Sequence, residues 1–406
     1  MFDHGCARAT CAALLFIITA AAHAEPLTID LSTALDRARQ RAPEALAAIA
    51  RLEQAEAHRA GSAMWFSHNL ELEAGIGPRW SDPPTLQIEG RISQQLEPGR
   101  RSARIAAADA VVENARAVNE DQLRRLGYEV VIAWNEARHA DLLVELATRN
   151  HELAVQAADA ATRRRKAGDI TDLDLNLATV AAGRARAAVA GARAERAAAI
   201  GRLGVLIGAT ASDVITLSGD LRPRDLTLDM LTTALPRHAQ LRALASEAKL
   251  AAAEARVART NRWPDLGVWI GYERDDRQAI VIGGLAVTLP LWNRAQGEQA
   301  SARAHQRQVS REQALVTRNV SRQVVDAFEA YARTREAVAV FERDVLPPLG
   351  DSELLLERSV TTGQLAIGDY LVARQEILNG RRDHLDRLLA LARSAAHARF
   401  LAGVSP

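Results

Sequence analysis

The chain has only two cysteines in 406 residues, Cys6 and Cys11, and both lie close to its start. A disulfide framework or a thiolate metal site needs cysteines spread through the folded part of a chain, so we expect neither. Lysine is almost absent, at Lys166 and Lys249 only, and the formal net charge is +1. A nearly neutral chain whose arginines alternate with acids is not typical of a nucleic-acid-binding protein, and we predict no nucleic-acid partner.

Long apolar runs are also missing once the first 24 residues are set aside. Residues 12–22 are apolar, and Ala22-His23-Ala24 is a small-x-small cleavage site before Glu25. This pattern predicts a secretory signal peptide at residues 1–24 and an exported protein. No later apolar run reaches 18 residues, so we expect no spanning helix and predict that strands make any membrane crossing. No cysteine stands at the cleavage point, so N-terminal lipidation is not predicted.

The residue patterns of enzymes and metal sites are absent too. After residue 24 no two histidines are four positions apart, and the only methionines are Met64 and Met230. No nucleophile–base arrangement, phosphate-binding loop or pair of catalytic carboxylates is recognisable. We therefore predict no enzyme activity, no cofactor and no resident metal.

What the chain does contain is an internal repeat. Lys166–Ala178 and Thr361–Ala373 each hold a glycine, an aspartate six residues later and an alanine four residues after that. Leu27–Leu35 is similarly echoed by Leu226–Leu235. Two matched segments in the same order predict two structural repeats, at residues 25–217 and 218–406.

Each predicted repeat contains a very long helix. From Arg100 to Ala167 there is no proline, and Gly127 is the only glycine. Apolar residues in this stretch keep a 3-4 spacing, which predicts a coiled-coil rod of roughly 100 Å. The same spacing recurs from Val320 to Val345 and ends where Pro347-Pro348 should break the helix. We expect each rod to turn back near a glycine tip, at residues 168 and 363.

A different periodicity precedes each rod. Apolar and polar residues alternate at about 69–77 and 85–95, and again at about 265–273, which predicts strands with one apolar and one polar face. The strand at about 278–289 is apolar on both faces, so its orientation stays open.

Tryptophans concentrate at these predicted hairpins. Five of the six lie in or beside them: Trp65, Trp80, Trp263, Trp269 and Trp292. They could cap a soluble core, but export and two-faced strands favour the aromatic girdle of an outer-membrane barrel. Four strands cannot close a barrel in lipid, so we expect an oligomer, and three copies would supply twelve strands.

The whole arrangement after residue 24 resembles the TolC-like outer-membrane factors. Leu289–Gly297 is similar to the Pro-Leu-Phe-Asn-Arg-Asn-Gln-Gly run of CzcC-type heavy-metal efflux members, and Leu96–Arg104 resembles their matching first-half segment. The resemblance implies a mainly α fold with a membrane β part. It implies a homotrimer whose 12-stranded β-barrel lies in outer-membrane lipid and continues as a periplasmic α-barrel. The implied partners are a periplasmic adaptor (membrane fusion protein) and an inner-membrane RND pump, and the implied cargo is cobalt, zinc or cadmium.

The resemblance also implies roles for the carboxylates beyond each tip. Family members line the periplasmic aperture with acids at the positions of Asp174 and Asp369, with Asp172 nearby, and a ring of carboxylates attracts cations. A local interpretation remains open, because Thr171 and Asp174 have the spacing of a capping box.

The tip glycines likewise have two interpretations. Gly168 and Gly363 suit a chain reversal that needs positive φ. The resemblance adds a role in adaptor docking at the same tips.

Alternative functions stay open at this point. The same duct could serve drug efflux or type I protein secretion. A protein of another class, a periplasmic adaptor or a structural coiled-coil protein, would also contain helical hairpins.

Overall fold

The structure is a computed structural model that describes residues 27–80, 85–210, 212–275, 278–362 and 365–404. The predicted signal peptide at residues 1–24 and the second tip glycine, Gly363, lie outside the described residues. Within the described ranges the chain is mainly helical, with two small sheets.

Groups of strands and groups of helices follow one another along the chain. The helices are α1 (Leu31–Arg41), α2 (Pro43–Ser62), α3 (Arg100–Ala167), α4 (Asp172–Leu206), α5 (Leu228–Ala234), α6 (Ala239–Thr260), α7 (Gln296–Asp344), α8 (Leu346–Thr362) and α9 (Ile367–Ala402). The strands are β1 (Leu27–Ile29), β2 (Glu71–Arg79), β3 (Thr85–Leu96), β4 (Ile215–Leu217), β5 (Asp265–Asp275) and β6 (Gln278–Thr288). None of the helices in the described ranges is both long and apolar enough to cross a membrane.

The first rod is one uninterrupted helix, as predicted. α3 has 68 residues, which corresponds to roughly 100 Å. It starts after Gly99 and ends at Gly168, and both glycines adopt the left-handed conformation. α3 packs along α4 and against α2, α6 and α9. Small buried residues such as Ala137 and Ala140 allow the backbones of these neighbours to come close.

The hydrophobic core lies around the middle of the long helices. Trp134 of α3 is 2% exposed and packs in one cluster with Ile29 of β1 and Leu203 of α4. Its indole N–H donates to the Ile29 carbonyl at 3.4 Å. A second cluster surrounds Tyr331 of α7, whose hydroxyl accepts from the Leu226 N–H at 3.3 Å. Together the clusters fix the short elements against the rods.

The second rod breaks at the predicted prolines. α7 ends at Asp344, Val345 lies between the helices, and α8 begins at Leu346. Pro347 and Pro348 therefore occupy the first turn of α8, where a proline removes no intrahelical hydrogen bond.

The two matched start segments fold differently. In the first, β1 pairs in parallel with β4, and Asp30 caps α1 by accepting from the Thr33 N–H at 2.7 Å. In the second, Thr227 caps α5 by accepting from the Met230 N–H at 3.3 Å. The cap therefore falls on the aspartate of the shared Leu-Thr-x-Asp pattern in the first segment and on its threonine in the second.

The two hairpins form one four-stranded antiparallel sheet in the order β2-β3-β5-β6. The β3–β5 pairing joins the two halves of the chain, with Ile92 opposite Ile270. Arg100 reinforces this junction: its guanidinium lies 2.7 Å from the Asp265 carboxylate and donates to the Trp263 carbonyl at 2.8 Å. β2 and β6 are the two edges of the sheet among the described residues.

Candidate functional site: the two-faced sheet and the hairpin tip

One face of the four-stranded sheet is apolar and exposed. The register aligns Leu72 with Ile92 and Ile270, and residues that pair directly lie on the same face. Alternate residues extend this face, and its larger aliphatic members are Leu72, Ile76, Leu86, Ile88, Ile92, Val268, Ile270, Val281, Leu285 and Val287. These side chains are between 38% and 77% exposed. Tyr272 and one charged residue with a described side chain, Arg274 at the end of β5, lie on the same face. Soluble monomers rarely expose a continuous apolar surface, so this face requires an apolar environment.

The opposite face carries charge. Four glutamates, one aspartate and one arginine with described side chains lie there: Glu71, Glu73, Glu89, Glu273, Asp265 and Arg91, of which Asp265 is paired with Arg100. Gln87 donates from Nε2 to Glu273 at 2.7 Å across the strands. Within the described ranges, no three His, Cys, Asp or Glu residues are grouped so that they could hold a metal ion.

The register also gives the orientation of β6, which the sequence left open. Val281, Leu285 and Val287 lie on the apolar face, opposite Tyr272, Val268 and Leu266. Ile280 and Ile282 lie on the charged face, so β6 is apolar on both sides.

Four of the five hairpin tryptophans lie at or beyond the strand ends. Trp65, Trp80 and Trp292 are more than three-quarters exposed, and Trp263 is about half exposed (47%). Trp269 differs, because the register puts it on the charged face beside Glu273, where the Arg91 guanidinium lies 4.2 Å from its ring centroid. The sequence alone groups Trp269 with the other four tryptophans in the predicted girdle, and the girdle stays a prediction.

The first hairpin tip is closed by backbone hydrogen bonds at the end of α3. Gly168 has φ +83°, its N–H donates to the Arg165 carbonyl at 3.1 Å, and the Asp169 N–H donates to the Arg164 carbonyl at 2.9 Å. This pair of bonds is a Schellman motif, which needs a left-handed residue at the position of Gly168. The plain-turn interpretation therefore accounts for this glycine.

The two acids after the first tip are both engaged in local bonds. Asp172 accepts two hydrogen bonds from Arg165, at 2.6 and 3.0 Å. Asp174 accepts from the Thr171 hydroxyl at 2.7 Å and from the Thr171 N–H at 3.1 Å, while its own N–H donates to Thr171 Oγ1 at 3.2 Å. The bond from Arg165 lowers the pKa of Asp172, and the bonds from Thr171 lower the pKa of Asp174. Both groups are therefore held as carboxylates.

Asp369 occupies the corresponding position after the second tip but makes no such bonds. It lies in the first turn of α9, whose N-cap Ala366 has no side chain able to cap the helix. Asp369 is exposed, and among the described residues no side chain or backbone N–H bonds to its carboxylate. The structure thus separates the three acids: Asp172 and Asp174, the latter in the capping box that the sequence allowed, are bonded locally, and Asp369 has no partner among the described residues.

Comparison with known proteins gives relatives over most of the chain, although no family model matches it. The cobalt-zinc-cadmium resistance protein CzcC of Cupriavidus metallidurans is 28% identical over 293 residues, which span 71% of this chain and 70% of CzcC. Protein CyaE of Bordetella pertussis is 27% identical over 316 residues, spanning 71% of this chain and 64% of CyaE.

Solved structures share the fold across nearly the full length. CusC matches with a TM-score of 0.73 at 16% identity, covering 92% of both chains. The CmeC outer membrane channel of Campylobacter jejuni matches with a TM-score of 0.73 at 14% identity, covering 92% of this chain and 85% of CmeC. The outer membrane protein VceC of Vibrio cholerae gives 0.71 at 18% identity, covering 92% of this chain and 96% of VceC.

The chain is a homologue of CzcC and has the fold of the TolC-like outer-membrane channels. The family resemblance predicted from the sequence is confirmed, including its link to CzcC. The TolC-like proteins with solved structures include outer-membrane channels, in agreement with the outer-membrane location predicted for this chain.

Sequence reasoning predicted a polar face on the strands but did not combine the two hairpins into one charged surface. The alternation that predicted the strands also contained Glu71, Glu73 and Glu89, but β5 contributes to the same surface only through its pairing with β3. The alternating glutamates were therefore visible in the sequence. The pairing of the two hairpins was needed to show that they share one face.

Proposed function

We propose that this chain forms an outer-membrane channel that passively conducts divalent cations of the cobalt, zinc and cadmium class out of the periplasm. The observation that carries the proposal is the two-faced sheet. Its exposed apolar face suits lipid, and its opposite face, with four glutamates to one arginine, suits the wall of a cation path. The name of the relative CzcC supports a metal cargo.

The proposed channel is a homotrimer. An open sheet edge is not tolerated in lipid, so β2 and β6 must pair with other strands. Three copies of the four-stranded sheet supply twelve strands, and the long helices continue the duct into the periplasm. We expect Trp65, Trp80, Trp263 and Trp292 in the aromatic girdle, and Trp269 inside the barrel.

The proposed periplasmic end of the channel is formed by the hairpin tips. We infer that Asp369 is the principal carboxylate of the aperture, since Asp172 and Asp174 are already engaged by Arg165 and Thr171. The tips around Gly168 and Gly363 would contact a periplasmic adaptor, which connects the channel to an RND pump in the inner membrane.

The cation path is tested by single-channel recording in planar bilayers. Glu73→Gln with Glu89→Gln removes two carboxylates from the proposed wall of each protomer and should lower the permeability of cations relative to anions. Glu44→Gln with Glu53→Gln removes the same charge from exposed positions of α2 and serves as the matched control. Equal selectivity in both double variants would remove the sheet from the cation path.

The cargo and location are tested in cells. Deleting the gene should increase sensitivity to zinc, cobalt or cadmium, and the wild-type gene should restore resistance. Sensitivity to drugs alone would favour drug efflux through the same duct, and a secretion defect alone would favour type I protein secretion. Recovery of the protein in the soluble periplasmic fraction would contradict the channel and favour an adaptor or a structural coiled-coil protein.

A further inference from the structure

A cavity of about 520 Å³ lies at the middle of the molecule, away from both the sheet and the tips. It is bounded by the start of α1, the middle of α3, the segment after β4 and the end of α9. Its volume is in the range of sites that hold small organic ligands.

Four arginines line this cavity, and two of them already have carboxylate partners. Arg124 donates to Asp121 at 2.7 and 3.0 Å and to the Phe400 carbonyl at 2.6 Å. Arg222 is bonded to Glu342.

The other two arginines, Arg224 and Arg399, have no hydrogen-bond or ion-pair partner among the described residues. Arg399 is the more unusual, because its Nε is fully enclosed without an acceptor. Arg101 also has an enclosed Nε, but its guanidinium still donates to the Ala63 carbonyl at 2.9 Å. Enclosure lowers the pKa of Arg399, and the nearby positive charge of Arg224 lowers it further.

The carboxylates that line the cavity, Asp30 and Asp220, are bonded to other groups and not to these two arginines. Asp30 accepts from the Thr33 N–H at 2.7 Å and from the Ser32 hydroxyl at 3.0 Å as the cap of α1. Asp220 accepts from the Arg222 N–H at 3.2 Å. Among the described residues, neither the exposed Arg224 nor Arg399 therefore has a carboxylate within ion-pair distance.

The remaining wall of the cavity is apolar and aromatic. It includes Tyr128 and Phe400, whose rings stack with centroids 4.5 Å apart, and the buried Trp134. Guanidinium groups bind planar or tetrahedral oxyanions through paired N–H donors, and aromatic walls bind an apolar body.

We propose that this cavity binds a small organic anion, a phosphate or carboxylate group on an aromatic body, with Arg224 and Arg399 holding the anionic group. An enclosed donor without an acceptor destabilises a fold, and such local conflicts are characteristic of binding sites. The proposal is independent of the channel function, since none of these residues belongs to the sheet or the tips.

The test is isothermal titration of the purified full-length protein in detergent with phenyl phosphate as the probe. We expect the wild type to bind one probe per chain saturably. Arg399→Gln or Arg224→Gln should weaken binding at least about ten-fold, because each removes a charge-assisted hydrogen bond to the probe. Arg322→Gln removes the same charge from an arginine whose side chain is 82% exposed, and should leave the affinity unchanged.

Melting temperatures measured without and with the probe test the same site. Without probe, Arg399→Gln should raise the melting temperature, because it removes a partly buried cation whose Nε is enclosed without an acceptor. Phenyl phosphate should then raise the melting temperature of the wild type more than that of the variant. No saturable binding, or equal affinity in wild type and Arg399→Gln, would overturn the site. Inorganic phosphate binding as tightly as phenyl phosphate would overturn its assignment to an organic anion.

Discussion

Trp269 covers Gly284 on the charged face of the sheet. An alanine Cβ at Gly284 would lie 2.8 Å from two atoms of the indole ring, closer than real Cβ contacts occur. The Arg91 guanidinium also lies 4.2 Å from the centroid of the same ring. The glycine in β6 therefore provides the space that lets a large aromatic side chain lie flat on a charged surface.

Gly284→Ala should destabilise the sheet, whereas the same change one residue earlier should not. Overpacking of this kind costs about 1–3 kcal/mol. At Gly283 the nearest atom to an added Cβ is the Trp269 carbonyl oxygen, at an ordinary 3.7 Å. Urea denaturation of the two variants in detergent measures the difference. Equal midpoints would show that the indole moves aside without cost.

Gly168→Ala and Gly183→Ala should have opposite effects on stability. Neither glycine has an atom within 4 Å of an added Cβ, so packing does not distinguish them. Gly168 has φ +83°, where a side chain costs about 1–2 kcal/mol. Gly183 lies inside α4, where alanine gains about 0.5–1 kcal/mol. Amide hydrogen exchange at the tip should be faster in the first variant and unchanged or slower in the second.

The long helices could be predicted from the sequence because their limits are encoded locally. The stretch from Arg100 to Ala167 contains no proline and ends before a glycine, and α3 has these same bounds. Alternation likewise predicted strands within three residues of β2, β3 and β5. In each case the pattern depends on residues close together in the chain.

Features that depend on distant contacts could not be predicted in this way. The orientation of β6 follows from its register with β5, and the shared charged face follows from the pairing of β3 with β5. Arg374 of α9 donates from Nε to the Asn150 side chain of α3 at 3.0 Å, across 224 residues of chain. No local periodicity reports such a pair.

The acids after the two tips predict a contrast between variants. Asp174→Asn removes the charge that accepts both hydrogen bonds from Thr171, so exchange of the amides in the first turn of α4 should accelerate. Asp369→Asn removes a carboxylate without a described partner, so local exchange should not change.

Single-channel recording of the same two variants tests the aperture. We expect Asp369→Asn to lower cation selectivity more than Asp174→Asn, because a free carboxylate is available to passing ions. Unchanged selectivity in Asp369→Asn would exclude this residue from the filter, whatever the exchange data show.

His238 makes the stability of the chain depend on pH. The residue is 1% exposed. Its Nε2 lies 3.0 Å from the Leu401 carbonyl, an acceptor, so Nε2 carries the proton. Its Nδ1 has no partner among the described residues. Burial lowers the pKa of His238 below its ordinary value of 6.5, and the positive charge of Arg124 lowers it further. As the pH falls through 6.5, His238 takes up a proton in the unfolded chain but stays neutral in the folded chain. The free energy of unfolding therefore decreases, and it continues to decrease until the pH has passed the pKa of His238 in the folded chain.

His238→Gln should therefore lose less stability than the wild type between about pH 7.5 and pH 5.5. The comparison is a difference between two proteins, so His139, whose pKa burial also lowers, contributes equally to both. His305→Gln, at an exposed position of α7, should keep the pH dependence of the wild type. Urea midpoints measured at several pH values test this, and parallel curves for wild type and His238→Gln would mean that His238 is protonated as readily in the folded chain as in the unfolded one.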